Sequence, residues 1–163
     1  MSDELSHIDA SGAARMVDVS GKPVTDRSAT AQGRVEVSTR VVELLRGEGV
    51  PKGDALAVAR IAGIMAAKRT PDLVPLCHPL AIDGVNVNLE VEHSGADDGG
   101  AVIIRAEVRS TGRTGVEMEA LTSVTVAALT VIDMVKAVDK HARITDVEVV
   151  AKSGGRSGDW SRE

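Results

Sequence analysis

The sequence predicts an α+β fold with a largely antiparallel sheet and helices packed on one face. Several segments alternate between apolar and polar residues, as strands with one buried face do, and two long apolar segments are typical of helices. With the first two helices counted as one element, the order is strand, helix, strand, strand, helix, strand. This is the split β-α-β arrangement of ferredoxin-like folds, in a single domain over residues 1–163.

The first strand is predicted over residues 30–38, where apolar and polar side chains alternate. Ser38 or Thr39 can then cap a short helix with an apolar stripe. Residues 1–27 are polar and weakly patterned, so we expect a partly mobile N-terminal arm with one short ordered segment at 16–20. The arm lacks the basic start and the apolar run of a signal peptide.

A second helix is predicted over residues 55–67, with Asp54 as its N-cap. The segment is rich in alanine and apolar on almost every side, so we expect a helix that is buried and closely packed. Lys68 and Arg69 indicate its solvated end, and a loop punctuated by prolines follows at 71–79.

Two strands, a long helix and a last strand complete the predicted fold. The strands cover 85–91 and 101–111, the helix begins near residue 117, and the last strand covers 143–151. Opposite charges suit an antiparallel pair of middle strands, with acidic residues on one and basic residues on the other: Glu90 and Glu92, Arg105 and Arg109. Residues 153–163 form a glycine-rich C-terminal tail.

The composition limits what the core and the partners can be. The chain has no Phe and no Tyr, so its core is built from small aliphatic side chains that each bury little area. Burial between subunits would compensate, which predicts an oligomer. The formal net charge of −5 gives no general affinity for nucleic acid or an anionic membrane. The single cysteine fits a reducing cytoplasm.

Seven ionisable side chains interrupt apolar or glycine-rich segments, where an unpaired charge is costly and is therefore usually paired or functional. They are Lys52, His78, Glu117, Glu119, Asp133, Lys136 and Lys152. The pattern is typical of a small acid–base enzyme. As structural alternatives, Glu117 can form a capping box with Thr114, and Asp133 and Lys136 can be a simple stabilising pair.

The length of the long helix constrains the site. Glu119 and Asp133 are fourteen residues apart, which is about 21 Å along a helix at about 1.5 Å per residue. One small ligand would not easily touch both in the same subunit. An antiparallel pairing of this helix with its copy would bring Glu119 of one chain near Asp133 and Lys136 of the other. We therefore expect the site at a two-fold subunit interface.

Two further loops carry candidates. Pro79 keeps His78 on extended backbone, where an imidazole can donate, accept or change charge near neutral pH. The neighbouring Cys77 is more often a small buried residue than a functional one, and no second cysteine or spaced histidine indicates a metal site. Lys52 precedes a helix N-terminus, which favours anions. Lys152 begins a loop with three glycines, whose amides can converge on phosphate, although a flexible tail has the same composition.

Seven segments form specific motifs. They are Lys52-Gly-Asp with Ala59-Arg-Ile-Ala-Gly63, Met65-Ala-Ala-Lys-Arg-Thr70, Pro75-Leu-Cys-His-Pro-Leu80, Thr114-Gly-Val-Glu-Met-Glu-Ala-Leu-Thr122, Asp133-Met-Val-Lys-Ala-Val-Asp139 and Lys152-Ser-Gly-Gly. The chain resembles, from Met16 to Asp159, the cyclic pyranopterin monophosphate synthase family, accessory protein C of molybdenum cofactor biosynthesis. Arg156 and Trp160 replace the lysine and phenylalanine common near the family's C-terminus.

The resemblance implies a hexamer, built as a trimer of dimers, that needs no cofactor or metal. It implies conversion of (8S)-3′,8-cyclo-7,8-dihydroguanosine 5′-triphosphate into cyclic pyranopterin monophosphate with release of pyrophosphate. A partner radical enzyme makes that substrate from GTP with S-adenosylmethionine. The implied catalytic residues are Asp133, Lys136 and Lys52. The implied substrate-binding residues are Leu76, Cys77, His78, Glu117, Met118, Glu119, Lys152 and Arg27.

Other functions stay open at this point. A ferredoxin-like module that binds a nucleotide and regulates a partner would release no pyrophosphate. A substrate panel that includes GTP would distinguish an isomerase or a nucleotide hydrolase from the family's enzyme, which is expected not to turn over GTP. A metalloenzyme would lose activity with a chelator.

Overall fold

A five-stranded sheet with helices on one face is the frame of the molecule. The computed structural model describes residues 6–48, 54–95 and 98–163. In chain order the elements are β1 (Thr25–Val37), α1 (Thr39–Glu43), a π-helical turn (Leu44–Glu48), α2 (Ala55–Ala67), α3 (Thr70–Leu73), β2 (Gly84–His93), β3 (Gly100–Gly112), α4 (Glu117–Val135), β4 (Arg143–Ser153) and β5 (Trp160–Ser161).

The strand order confirms the predicted fold class. It is β2-β3-β1-β4-β5, and each ladder between described strands is antiparallel. Strand β1 lies between β3 and β4, so the chain crosses from β1 to the far edge of the sheet through the first helices and returns to the other side of β1 through α4. Helix α4 is therefore the connection between β3 and β4.

The core lies between the sheet and helices α2 and α4, which also pack on each other. Small residues set the spacing. A Cβ on Gly33 of β1 would come within 2.5 Å of the Val124 side chain of α4, and one on Gly63 of α2 would lie 3.0 Å from the Ser123 carbonyl. The chain has no Phe or Tyr, and its single Trp160 is exposed, so no aromatic side chain fills a wider gap and the layers pack closely instead.

Three boundaries differ from the prediction. Strand β1 begins at Thr25, so residues 25–27 of the predicted arm belong to the sheet, where Thr25 lies opposite Gly112. Helix α3 occupies part of the predicted loop, with Pro71 in its first turn, where a missing N–H is tolerated. Strand β5 lies in the predicted tail and pairs with β4.

The two predicted caps had different outcomes. Asp54 is the N-cap of α2, and its carboxylate accepts from the Ala57 N–H at 3.0 Å, as predicted. Ser38 is the N-cap residue of α1, but its side chain makes no capping bond. Its N–H instead donates to the buried carboxylate of Asp139 at 2.7 Å, so a long-range contact ties α1 to the chain after α4.

The predicted charge pairs between β2 and β3 are wrong, although the strands pair antiparallel. The register places Arg105 opposite Asn88 and Arg109 opposite Gly84. Glu92 reaches Arg34 of β1 instead, at 3.4 Å. Charge composition indicated the pairing of the strands but not its register, which the buried face and the connecting turn determine.

Helix α2 is less buried than predicted. Within this chain Val58, Ile61 and Met65 are 44%, 58% and 50% exposed, and Leu129 of α4 is 54% exposed. The three residues of α2 recur at the spacing of one helix face. They form an apolar stripe on the outer side of the helix layer, which is a feature of surfaces that bind another protein.

Helix α4 is long and apolar enough to cross a membrane by length and composition alone. In this chain it packs against β1, β3 and β4, and half of its most apolar window is buried. It is therefore the core helix that its interrupting polar residues predict.

Candidate active site

The smaller of two neighbouring cavities lies between the loop before β2, the N-terminus of α4 and the N-terminal arm. It has a volume of about 360 Å³. Six predicted site residues line it: Leu76, Cys77, His78, Glu117, Met118 and Glu119. His78 lies outside any helix or strand, directly before Pro79. The Cys77 N–H donates to the Val74 carbonyl at 3.0 Å, which fixes the turn before it.

Glu119 is the buried acid of this cavity, with only 3% of its surface exposed. Burial raises its pKa, and the neighbouring Glu117 carboxylate raises it further, to about 7. A carboxyl group with a pKa near neutral can both give and take a proton at the pH of a cell. Glu119 therefore has the electrostatic setting of a general acid or base.

Cys77 and His78 have no metal partners in the described part of the chain. Burial, and then the Glu119 carboxylate, raise the pKa of the Cys77 thiol, so it stays protonated and is a poor nucleophile. Within residues 6–48, 54–95 and 98–163, no group of three or more His, Cys, Asp or Glu is placed to hold a metal ion. Cys77 and His78 both line the smaller cavity.

The larger cavity, of about 1140 Å³, lies between the arm, the start of β1 and the loop after β4. Four cationic side chains line it: Lys22, Arg27, Lys152 and Arg156. The one carboxylate among its described lining residues is Glu117. In a chain with a net charge of −5 this is a local reversal of sign, and it suits a polyanionic ligand.

The glycines after β4 have a specific structural role. Gly154 and Gly155 have φ angles of +83° and +75°, a conformation that favours glycine. A Cβ on Gly155 would overlap the guanidinium of Arg27, whose Nε donates to the Gly112 carbonyl at 3.0 Å. The Gly154 N–H donates to Asp159 at 3.0 Å. The loop is thus ordered around Arg27 instead of forming a loose tail.

Glu117 joins the two cavities. It lines both, and its carboxylate accepts from Lys152 at 3.1 Å. Lys152 also donates to the Ser157 hydroxyl at 3.2 Å. The N-cap of α4 is Val116, which makes no side-chain capping bond. The predicted capping box with Thr114 is therefore not formed, and the role of Glu117 in the site stays a prediction.

Asp133 and Lys136 lie at the opposite end of α4, and neither lines these cavities. They form an ion pair at 2.7 Å with side chains 54% and 59% exposed. The expectation that their charges are buried is wrong within one chain, where they have the geometry of the simple stabilising pair. Lys52 lies outside the described residues.

The sequence prediction assigned no residue of the arm before Arg27 to the site. The arm residues that line the smaller cavity are Ser6, His7, Val17, Val19 and Lys22, and Lys22 lines the larger cavity as well. The two valines lie two residues apart in the segment at 16–20, and this alternation in a polar arm is the signal that could have indicated them. No spacing rule indicates Lys22.

Comparison with known proteins gives the family. The MoaC family model matches residues 16–155. The chain is 74% identical to the cyclic pyranopterin monophosphate synthase of Streptomyces avermitilis, over 98% of this chain and 91% of that one. It is 71% identical to the protein of the same name from Nocardioides sp., over 97% and 95%, and 56% identical to that from Chloroflexus aggregans, over 99% and 95%.

Among solved structures, an aminobenzoyl-glutamate utilization protein from Klebsiella pneumoniae is similar over 80% of this chain and 30% of its own. Its TM-score of 0.40 and identity of 12% carry no argument about fold or function. The family match over most of the chain and the high identities are decisive: the chain is an enzyme that belongs to the MoaC family.

Proposed function

We propose that the protein is a lyase that converts (8S)-3′,8-cyclo-7,8-dihydroguanosine 5′-triphosphate into cyclic pyranopterin monophosphate and pyrophosphate. Membership of the MoaC family gives it a role in molybdenum cofactor biosynthesis. The observation that carries the proposed reaction is the pair of joined cavities. One contains groups that can exchange protons, and the other is lined by cations.

The larger cavity would hold the triphosphate. Arg27 and Lys152 are fixed there by hydrogen bonds to neighbouring groups, so their positive charges are already in place before a ligand arrives. Preorganised cations of this kind stabilise a transition state better than mobile ones, since they need little rearrangement. Arg27 and Lys152 are therefore proposed as substrate-binding residues, together with the glycine loop.

The smaller cavity would hold the purine-derived ring system. Leu76 and Met118 offer apolar contacts, while Cys77, His78 and Glu119 offer polar ones. Opening and reclosing the ring requires protons to move on and off nitrogen and oxygen. We propose that His78 and Glu119 orient this part of the substrate, and that Glu119 changes protonation as the ring is rearranged.

Formation of the cyclic phosphate then follows at the junction of the cavities. An internal hydroxyl of the substrate attacks the α-phosphorus and forms a new phosphorus–oxygen bond. The bond from the α-phosphorus to the bridging oxygen breaks, and pyrophosphate leaves with that electron pair. The hydroxyl proton passes to a base of the site. Lys152 lies where it can stabilise the negative charge that grows on the phosphate oxygens.

Asp133, Lys136 and Lys52 complete the proposed catalytic set. Asp133 and Lys136 would act as an acid–base pair, and Lys52 would assist proton transfer or hold phosphate. Since Asp133 lies at the far end of α4 from Glu119, we propose that a second subunit supplies it at a two-fold interface. The exposed apolar stripe of α2 supports such a contact, as does the lack of aromatic residues in the core.

The assembly and setting follow from the same proposal. The expected oligomer is a hexamer that is a trimer of dimers, and a radical S-adenosylmethionine enzyme acting on GTP would supply the substrate. The single cysteine, which is free, fits a reducing cytoplasm.

The direct test is incubation of the purified protein with the cyclised nucleotide. We expect stoichiometric pyrophosphate and a product with the mass of cyclic pyranopterin monophosphate, while GTP is not consumed. Binding without pyrophosphate release would instead favour a regulatory module, and turnover of GTP would favour a nucleotide hydrolase. Loss of activity on treatment with a chelator would favour a metal-dependent reaction.

A mixing experiment tests the shared site. Oligomers of Asp133→Asn and of Glu119→Gln are each expected to be inactive, and dissociation followed by reassembly as a mixture should restore part of the activity. Restoration occurs because some interfaces then receive a wild-type residue from each chain. If no mixture recovers any turnover, the site is not shared between two copies.

A further inference from the structure

The N-terminal arm is built to lie over both cavities. Its tip is a closed turn in which Ile8 pairs with Ala14, and Asp9 accepts from the N–H groups of Ser11 and Ala13 at 2.8 and 3.0 Å. Beyond this turn the chain passes the smaller cavity and reaches Lys22, which lines both cavities. The arm is thus one wall of the site, and how it is held matters for what the site can bind.

One side chain attaches the arm at this point. The Nε of Arg113 donates to the backbone carbonyl of Lys22 at 3.2 Å. Arg113 directly precedes Thr114 and Gly115, which also line both cavities. It is exposed and is not among the described lining residues of either cavity. Its backbone adjoins the site directly, whereas its side chain reaches the site through the arm.

The middle of the arm has a weaker attachment. Hydrogen bonds from Ser20 are the main reason that the pKa of Asp18 is lowered, and the nearby His78 lowers it further. Both groups are on the surface of the molecule or close to it, so this attraction is partly screened by solvent. The Arg113 bond is consequently the firmest described link between the arm and the connection that leads into α4.

We propose that Arg113 is a positioning residue for the reaction. By holding the Lys22 carbonyl, it fixes the arm across the cavities and keeps the cation of Lys22 at their junction, where a polyphosphate ligand passes from one cavity to the other. This inference rests on the proposed function for its kinetic consequence. A loose arm would weaken ligand binding and leave the chemistry of the bound ligand largely intact.

The kinetic test compares Arg113→Ala, Arg113→Lys and the wild type on the cyclised nucleotide. Loss of a charge-assisted hydrogen bond should raise KM about tenfold in Arg113→Ala and change kcat less than about twofold. Arg113→Lys keeps a cationic donor and should recover most of the loss. Arg143→Ala is the matched control, because Arg143 is an exposed arginine at the start of β4 that pairs with Glu36 of β1. The KM of Arg143→Ala should stay at the wild-type value.

A second measurement does not depend on turnover. Trypsin can cut after Arg15 in the arm, whereas Lys22 is followed by a proline and resists cleavage. Cleavage after Arg15 should be several-fold faster in Arg113→Ala than in the wild type and in Arg143→Ala. Inorganic triphosphate, used as a probe of the cationic cavity, should slow cleavage of the wild type more than that of Arg113→Ala.

The outcomes separate the two ideas. If the wild type does not convert the cyclised nucleotide, the proposed function fails, and the cleavage rates still decide whether Arg113 holds the arm. Equal cleavage rates in Arg113→Ala and the wild type would overturn the inference. So would a fall in kcat at unchanged KM, or a KM for Arg113→Lys that is no better than that of Arg113→Ala.

Discussion

Glu119→Gln should stabilise the protein at neutral and alkaline pH but not at acid pH. The folded state raises the pKa of Glu119 from its ordinary value of 4.5 to about 7, chiefly because the carboxyl is buried. Between these values the folded chain keeps a proton that the unfolded chain has lost. The wild type therefore loses stability as the pH rises through this window, on the order of 3 kcal/mol in all, at about 1.4 kcal/mol per pKa unit.

The stability difference between Glu119→Gln and the wild type should follow that titration. It should be close to zero near pH 4.5, grow through the window, and level off above pH 7, because glutamine is neutral at every pH. Urea unfolding at a series of pH values measures it, at one protein concentration, because association contributes to stability. Glu43→Gln is the control: its carboxylate is 58% exposed beside Arg40, so its difference from the wild type should stay small throughout.

The result that refutes this reasoning is a flat difference. If Glu119→Gln changes stability by the same amount at pH 5 and pH 8, the carboxyl does not titrate in the folded state as its burial requires. A difference that grows toward acid pH would mean that the folded state favours the ionised form. In either case the assignment of Glu119 as a proton-exchanging group would lose its physical basis.

Three other variants test the local structure and the phosphate site. Asp54→Ala removes the cap on the Ala57 N–H and should cost about 1 kcal/mol in urea unfolding, with kcat unchanged. Lys152→Met removes the ammonium beside Glu117 and should raise KM about tenfold in steady-state assays, with a weaker dependence of KM on salt than in the wild type. Gly155→Ala adds a methyl group at a φ of +75° against the Arg27 guanidinium and should lower the melting temperature by several degrees and raise KM.

Strand and helix patterns predicted most of the fold because burial enforces them. The alternation in 101–111 has to place one face inward, and Val102, Ile104, Ala106 and Val108 are indeed fully buried. The cap at Asp54 was predictable because it depends on residues three apart. The contact from the Ser38 N–H to Asp139 was not, because it joins residues more than one hundred positions apart and no local pattern encodes it.

The same limit applies to the site. Sequence motifs indicated Cys77, His78 and Glu119, and the structure brings them to one cavity. They could not indicate Lys22, since it lies in a turn outside any helix or strand, and its place at the junction is set by the path of the arm and by the Arg113 bond. The α2 stripe was expected to be buried because the helix is apolar on almost every side. Composition does not show whether the residues that cover such a helix belong to the same chain, and within this chain the stripe is exposed.

The arrangement of charges on α4 supports the proposed pairing of two copies. The C-terminal turn of a helix carries partial negative charge, so a carboxylate at Asp133 is disfavoured there, and Lys136 offsets the cost. An exposed ion pair of this kind adds little to the stability of one chain. One turn earlier on the same helix, Leu129 is exposed as well. Packing of a second copy against this face would remove the pair from water and strengthen its field. Loss of either partner would then leave an uncompensated charge, so Asp133→Asn should weaken the assembly as well as the reaction.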